Sequence, residues 1–100
     1  MNDKEATENV LVALRHPLRR EMLERVVQQE APVSPRGLAA HLAKPLSNVS
    51  YHARVLVQCK VLTLVDLKPK RGSMQHFYEP SELVEHPMIK AALAPEGGGD

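Results

Sequence analysis

"PLSNVSYHARVL", residues 45–56, sets core-like and partner-seeking side chains within a few positions of one another, and its period decides how the chain folds. At ~100° per residue of an α-helix, Leu46, Val49, Ala53 and Leu56 fall on one side. Ser47, Tyr51, Arg54 and Gln58 fall on the other, with Ser50 beside them. The first face is a core face. The second carries no carboxylate, whereas a merely solvated helix face mixes both signs. It suits an acidic, hydrogen-bonding surface.

Working outward, the segments on either side supply a framework for that helix. "PRGLAAHLA", residues 35–43, reads as a short helix capped by Ser34, burying Leu38, Ala39 and Leu42. Lys44 and Pro45 end it and begin the next helix, which runs over 46–60. A short helix, a tight connection and a longer helix with a polar outer face form the helix-turn-helix pattern, here without the glycine frequent in the turn. Upstream, residues 5–15 place Val10, Leu11 and Leu14 on one stripe. His16–Pro17 interrupts that helix and starts another over 17–29, with His16 at the N-cap. Its buried side is Leu18, Met22, Leu23, Val26 and Val27; Arg19, Arg20, Glu21, Glu24 and Arg25 are expected outward, and "EAPV" is a linker.

Downstream the period shortens to two. "VLTLVDL" (61–67) and "MQHFYE" (74–79) alternate as strands. "KPKRGS" between them is a turn with three cations and no acid, so residues 61–79 form a hairpin with a basic tip. Residues 81–94 offer Leu83, Val84, Met88, Ile89 and Leu93 in short helical turns, broken at Pro87. The expected class is mainly α (α+β): a winged helix-turn-helix of four to five helices and a two-stranded β-hairpin wing. It occupies residues 1–94, with 95–100 a disordered tail.

Composition narrows the function. The net charge is +1, but residues 36–76 hold seven basic residues against Asp66 alone, a net +6 that leaves −5 for the rest. A basic middle between acidic ends is the footprint of a polyanion-binding module. With 43% apolar residues and three aromatics, the core is aliphatic. No apolar run approaches the ~20 residues of a membrane span, and the polar, acidic start is unlike a signal peptide. A single Cys59 fits a reducing cytoplasm, so the chain is expected to be cytoplasmic and without membrane attachment.

"ALRHPLRREMLERV", "SNVSYHARVLVQCKVLTLV" and "GSMQHFYEPS" resemble, respectively, the opening segment, the recognition helix with first wing strand, and the returning strand of the ArsR-like family of bacterial winged-helix repressors. The resemblance spans about residues 10–80 and implies DNA binding. Many members sense metals through paired cysteines in the recognition region; with only Cys59, no metal site or cofactor is expected here.

In a winged helix the recognition helix lies in the major groove. Ser47, Asn48 and Ser50 are short enough for close approach, Tyr51 offers a hydroxyl and a flat ring, and Arg54 can grip guanine bidentately or clamp a phosphate. Competing readings stand beside some of these: Ser47 as a helix cap, Asn48 as plain solvent exposure, Tyr51 packed on the wing. Lys68, Lys70 and Arg71 would reach the minor groove or backbone, and Arg36 and Lys44 suit phosphates. His52 reads as a packed or backbone-bonded side chain. His41, His76 and His86 are scattered, without zinc-ligand spacing. No phosphate loop, nucleophile motif or buried carboxylate pair suggests an enzyme.

The leading expectation is a dimeric transcriptional regulator on double-stranded DNA that acts as a repressor. The alternative is a winged-helix protein–protein interaction module without DNA specificity. The homodimer surface is expected to combine Val10, Leu11 and Leu14 with Leu83, Val84, Met88 and Ile89, with completion of the monomer's own core as the competing role for Leu11 and Leu14.

Overall fold

The computed structural model describes residues 1–95. In chain order the elements are α1 (Asp3–Leu14), α2 (Pro17–Gln28), α3 (Pro35–Leu42), α4 (Leu46–Gln58), β1 (Leu62–Lys70), β2 (Ser73–Pro80), a 3₁₀ turn (Glu82–Glu85) and α5 (Pro87–Leu93). This is a mainly α, α+β winged helix-turn-helix layout. From residue 96 the expected tail lies outside the described residues.

Local chemistry sets most boundaries. His16 is extended, and its Nδ1 accepts from the Leu18 amide at 3.0 Å, so the α1–α2 break is also the α2 cap. Ser34 Oγ accepts from the Gly37 amide at 3.1 Å and opens α3. The α3–α4 turn works without glycine because Ala43 itself takes the left-handed conformation, φ 55°, ψ 48°. That geometry lets the amides of Ala43 and Lys44 both donate to the Ala39 carbonyl.

The core joins all five helices to the base of the wing. Val10, Met22, Leu23, Val26, Val49, Ala53, Leu56, Val61 and Ile89 are essentially sealed, and Leu38, Leu62 and Tyr78 nearly so. Each buried Leu, Val or Met contributes about 1.5–3 kcal/mol relative to exposure. α4 lies across α2 and α3, while α5 closes on α1 and α2.

Several expectations are corrected. Val27 and Leu46 are exposed, lying just past the edge of their helices' buried stripes. Arg19 is buried, because the α1 backbone and α4 give its guanidinium acceptors. Val33 is no simple linker residue: it exchanges both backbone hydrogen bonds with Tyr78, at 2.8 and 2.9 Å. The strands run through most of "KPKRGS", leaving a two-residue turn at Arg71–Gly72 with φ 52° and 85°. Pro69 is tolerated inside β1. Lys70–Ser73 closes the turn as a hydrogen-bonded pair, so Pro69–Met74 is the non-bonded pair where an N–H is not needed.

The expected dimer surface changes most. Val10 and Ile89 are 0% exposed and Val84 is buried, all three within the chain's own core. α5 folds back onto α1 and α2 instead of standing free. Of the set, Leu11 (43%) and Met88 (37%) are exposed, and Leu14 and Leu83 are half-buried against the core.

Candidate nucleic-acid interface

α4 presents the two faces its period requires. Val49, Ala53 and Leu56 are sealed inside; Ser47, Asn48, Tyr51, Arg54 and Gln58 are exposed along the outer side, with Ser50 half-buried at its margin. The helix begins after Pro45, which supplies no side-chain cap. Ser47 is therefore inside the first turn and is not the cap. Ser47 is exposed there, while the amides of Asn48 and Val49 donate to the Pro45 carbonyl.

Tyr51 is 54% exposed, and its ring meets His52 edge-on at 5.0 Å. Arg54 lies toward the base of the wing. Burial pushes the Tyr78 phenol above its ordinary pKa, and the nearby Arg54 charge opposes that rise.

Lys68, Lys70 and Arg71 are all exposed on the wing, but they are not equivalent. Lys68 sits 3.9 Å from Asp66 Oδ2 and 5.1 Å from the centroid of the Phe77 ring, so it is partly engaged within the hairpin. Lys70 ends β1 beside the tip, and Arg71 is the first residue of the tip itself. Ser73 Oγ donates to the Lys70 carbonyl at 3.1 Å and braces the turn.

A groove of about 440 Å³ opens between the start of α3, the start of α4 and the wing tip. Arg36, Ser50, Lys70 and Arg71 meet there, with Ser73, Gln75 and His76 along the β2 wall and Pro35, Leu46 and Met74 as apolar surface. No carboxylate lines it. Lys44, Ser47, Asn48, Tyr51, Arg54 and Lys68 stay outside the groove. Comparison of the chain with described protein families and with curated proteins finds no match.

The sequence singles out neither Ser73 nor Gln75, and shows His76 only as one of the scattered histidines. The Arg71–Gly72 dipeptide held the signal, since a two-residue turn sets Ser73 and Gln75 opposite Lys70 and Lys68. Among the described residues no three His, Cys, Asp or Glu side chains gather, and no helix is long and apolar enough to cross a membrane. Cys59 is buried with its thiol toward the Leu56 carbonyl, and burial raises its pKa above the ordinary value. Chemically, the assembled face can donate hydrogen bonds to an acidic partner and balance its negative charge.

Proposed function

We propose that this protein is a sequence-specific, double-stranded-DNA-binding transcriptional regulator of ArsR-like kind, acting in the cytoplasm as a homodimeric repressor. One observation carries the reading. The start of α3, the start of α4 and the wing tip meet at one groove lined by Arg36, Ser50, Lys70 and Arg71 and by no acid, and the exposed outer face of α4 adds Arg54. α4 would enter the major groove, Ser47, Asn48, Ser50 and Tyr51 approaching base edges and Arg54 taking guanine or phosphate. Lys70 and Arg71, with Lys68 behind them, would follow the adjacent backbone or minor groove. Arg36 and Lys44 would hold phosphates at the two ends of α3.

A single recognition helix reads few base pairs, so two copies about one helical turn apart would supply selectivity. Leu11 and Met88, with the outer edges of Leu14 and Leu83, are the apolar positions a second copy would cover. Selection of bound fragments from random duplexes tests the reading. Inverted half-sites are expected, and recovery of no preferred sequence would contradict it.

A second reading, the interaction module without DNA specificity, draws on the wing. Leu64, Val65, Leu67 and Met74 are exposed there and would suit an apolar protein surface. Duplex binding that is absent even at low salt would favour this reading.

A further inference from the structure

We propose that the groove between α3, α4 and the wing tip is a binding site for a small organic phosphate. The proposal concerns the groove itself and stands whether or not the surrounding face takes duplex DNA.

The lining carries the argument. Arg36 from α3 and Lys70 and Arg71 from the wing converge on one hollow, and none of them pairs with a carboxylate among the described residues. Asp66, the acid nearest along β1, is already held by Lys68 and by the Leu67 amide, which donates to its Oδ1 at 2.8 Å. Three like charges around a shared space repel one another, and a bound anion relieves that repulsion.

Shape and the remaining wall select the ligand class. About 440 Å³ is the size of a small-molecule site rather than of a single ion. Ser50, Ser73 and Gln75 supply uncharged hydrogen-bonding groups, and His76 adds its ring nitrogens, the ring stacked on Tyr78 with centroids 6.3 Å apart. Pro35, Leu46 and Met74 offer an apolar surface for a flat or aliphatic body. A phosphate ester on an organic group matches both halves of the lining.

The test uses phenyl phosphate and inorganic phosphate as probes, titrated into the full chain without DNA and followed by amide NMR shifts. The site predicts saturable shifts at Ser50, Ser73, Gln75 and His76, with phenyl phosphate binding several-fold more tightly than inorganic phosphate. Arg36→Ala and, separately, Arg71→Gln should each weaken binding roughly tenfold, the loss of one charge-assisted contact. Lys90→Ala, on α5, should leave it unchanged. Shifts spread equally over Lys4, Lys90 and the groove, or no saturation, would overturn the site. A duplex that binds and shifts the groove amides while phenyl phosphate does neither would overturn it too, making the groove a seat for backbone phosphate alone. Saturable phenyl phosphate binding by a chain that binds no duplex supports the site and refutes the DNA reading instead.

Discussion

Arg19 donates from Nη1 to Nδ1 of His52 at 3.1 Å, and both side chains are only 8% exposed. The same guanidinium donates from Nε and Nη2 to the Val12 carbonyl at 3.1 and 2.9 Å. One side chain of α2 thus joins the end of α1 to the inner side of α4. Since arginine only donates, Nδ1 accepts, and the neutral ring carries its proton on Nε2. His16 lies against the same ring at 4.3 Å and Tyr51 meets it edge-on. The outward face of α4 is therefore oriented from behind by this cluster.

Arg19→Met should destabilise the fold by about 2 kcal/mol, because it leaves the buried His52 Nδ1 without a donor and takes the guanidinium's two bonds from the Val12 carbonyl, which keeps the Arg15 amide at 3.3 Å. Arg19→Lys should recover only part of the loss, since one ammonium cannot span both acceptors as the guanidinium fork does. Urea denaturation with an unchanged m-value measures both. A midpoint unaltered in Arg19→Met would contradict the structural role of the cluster.

His52 makes stability depend on pH. Burial, then the charges of His16 and Arg19, lower its pKa from the ordinary 6.5. The unfolded chain therefore takes up this proton before the folded one does, so stability is full above 6.5. It declines as pH falls from 6.5 toward the folded-state pKa, then levels. His52→Gln, which keeps an oxygen for Arg19, should flatten that decline. The urea midpoint followed between pH 8 and pH 5 in both proteins is the check, and parallel curves would remove His52 as the cause.

Ala43 holds a left-handed conformation that suits glycine better than any residue with a Cβ. Ala43→Gly should stabilise the protein by about 0.5–1 kcal/mol, net of glycine's greater unfolded-state entropy. For a chain of this size that raises Tm by about 2–8 °C. Thermal unfolding by circular dichroism measures it, and a lowered Tm would contradict the assigned turn geometry.

What the sequence displayed was chiefly local. His16 and Ser34 could be placed as caps because a cap needs only neighbours within three residues. The two faces of α4 were legible because a single period sorts them. Arg19 was not, since its acceptors, Val12 and His52, lie seven and thirty-three positions away. Ile89 was misread for a related reason: an apolar residue on a short terminal helix looks unpartnered until α5 is seen folded against α1 and α2. The groove was illegible as a whole. Arg36 and Arg71 meet only when the wing folds beside α3.

That correction changes how a homodimer is tested. A charge at Ile89 would disrupt the monomer's core, whereas Leu11→Glu with Met88→Glu alters exposed positions only. In a two-fold interface each substitution acts twice. Light scattering should find a dimeric wild type and a folded, monomeric double variant at micromolar concentration. A wild type that stays monomeric, free and with duplex, would refute the dimer.

The most direct test of duplex binding is its salt dependence, measured by fluorescence anisotropy of a labelled duplex over a range of sodium chloride concentrations. Log affinity should fall linearly with log salt, and each lost phosphate contact should reduce the slope by roughly 0.9. Replacing Arg36, Lys70 and Arg71 together by alanine should therefore flatten it by about 2–3, with the fold unchanged. A wild type that binds duplex without salt dependence, or a triple variant with the wild-type slope, would contradict the account.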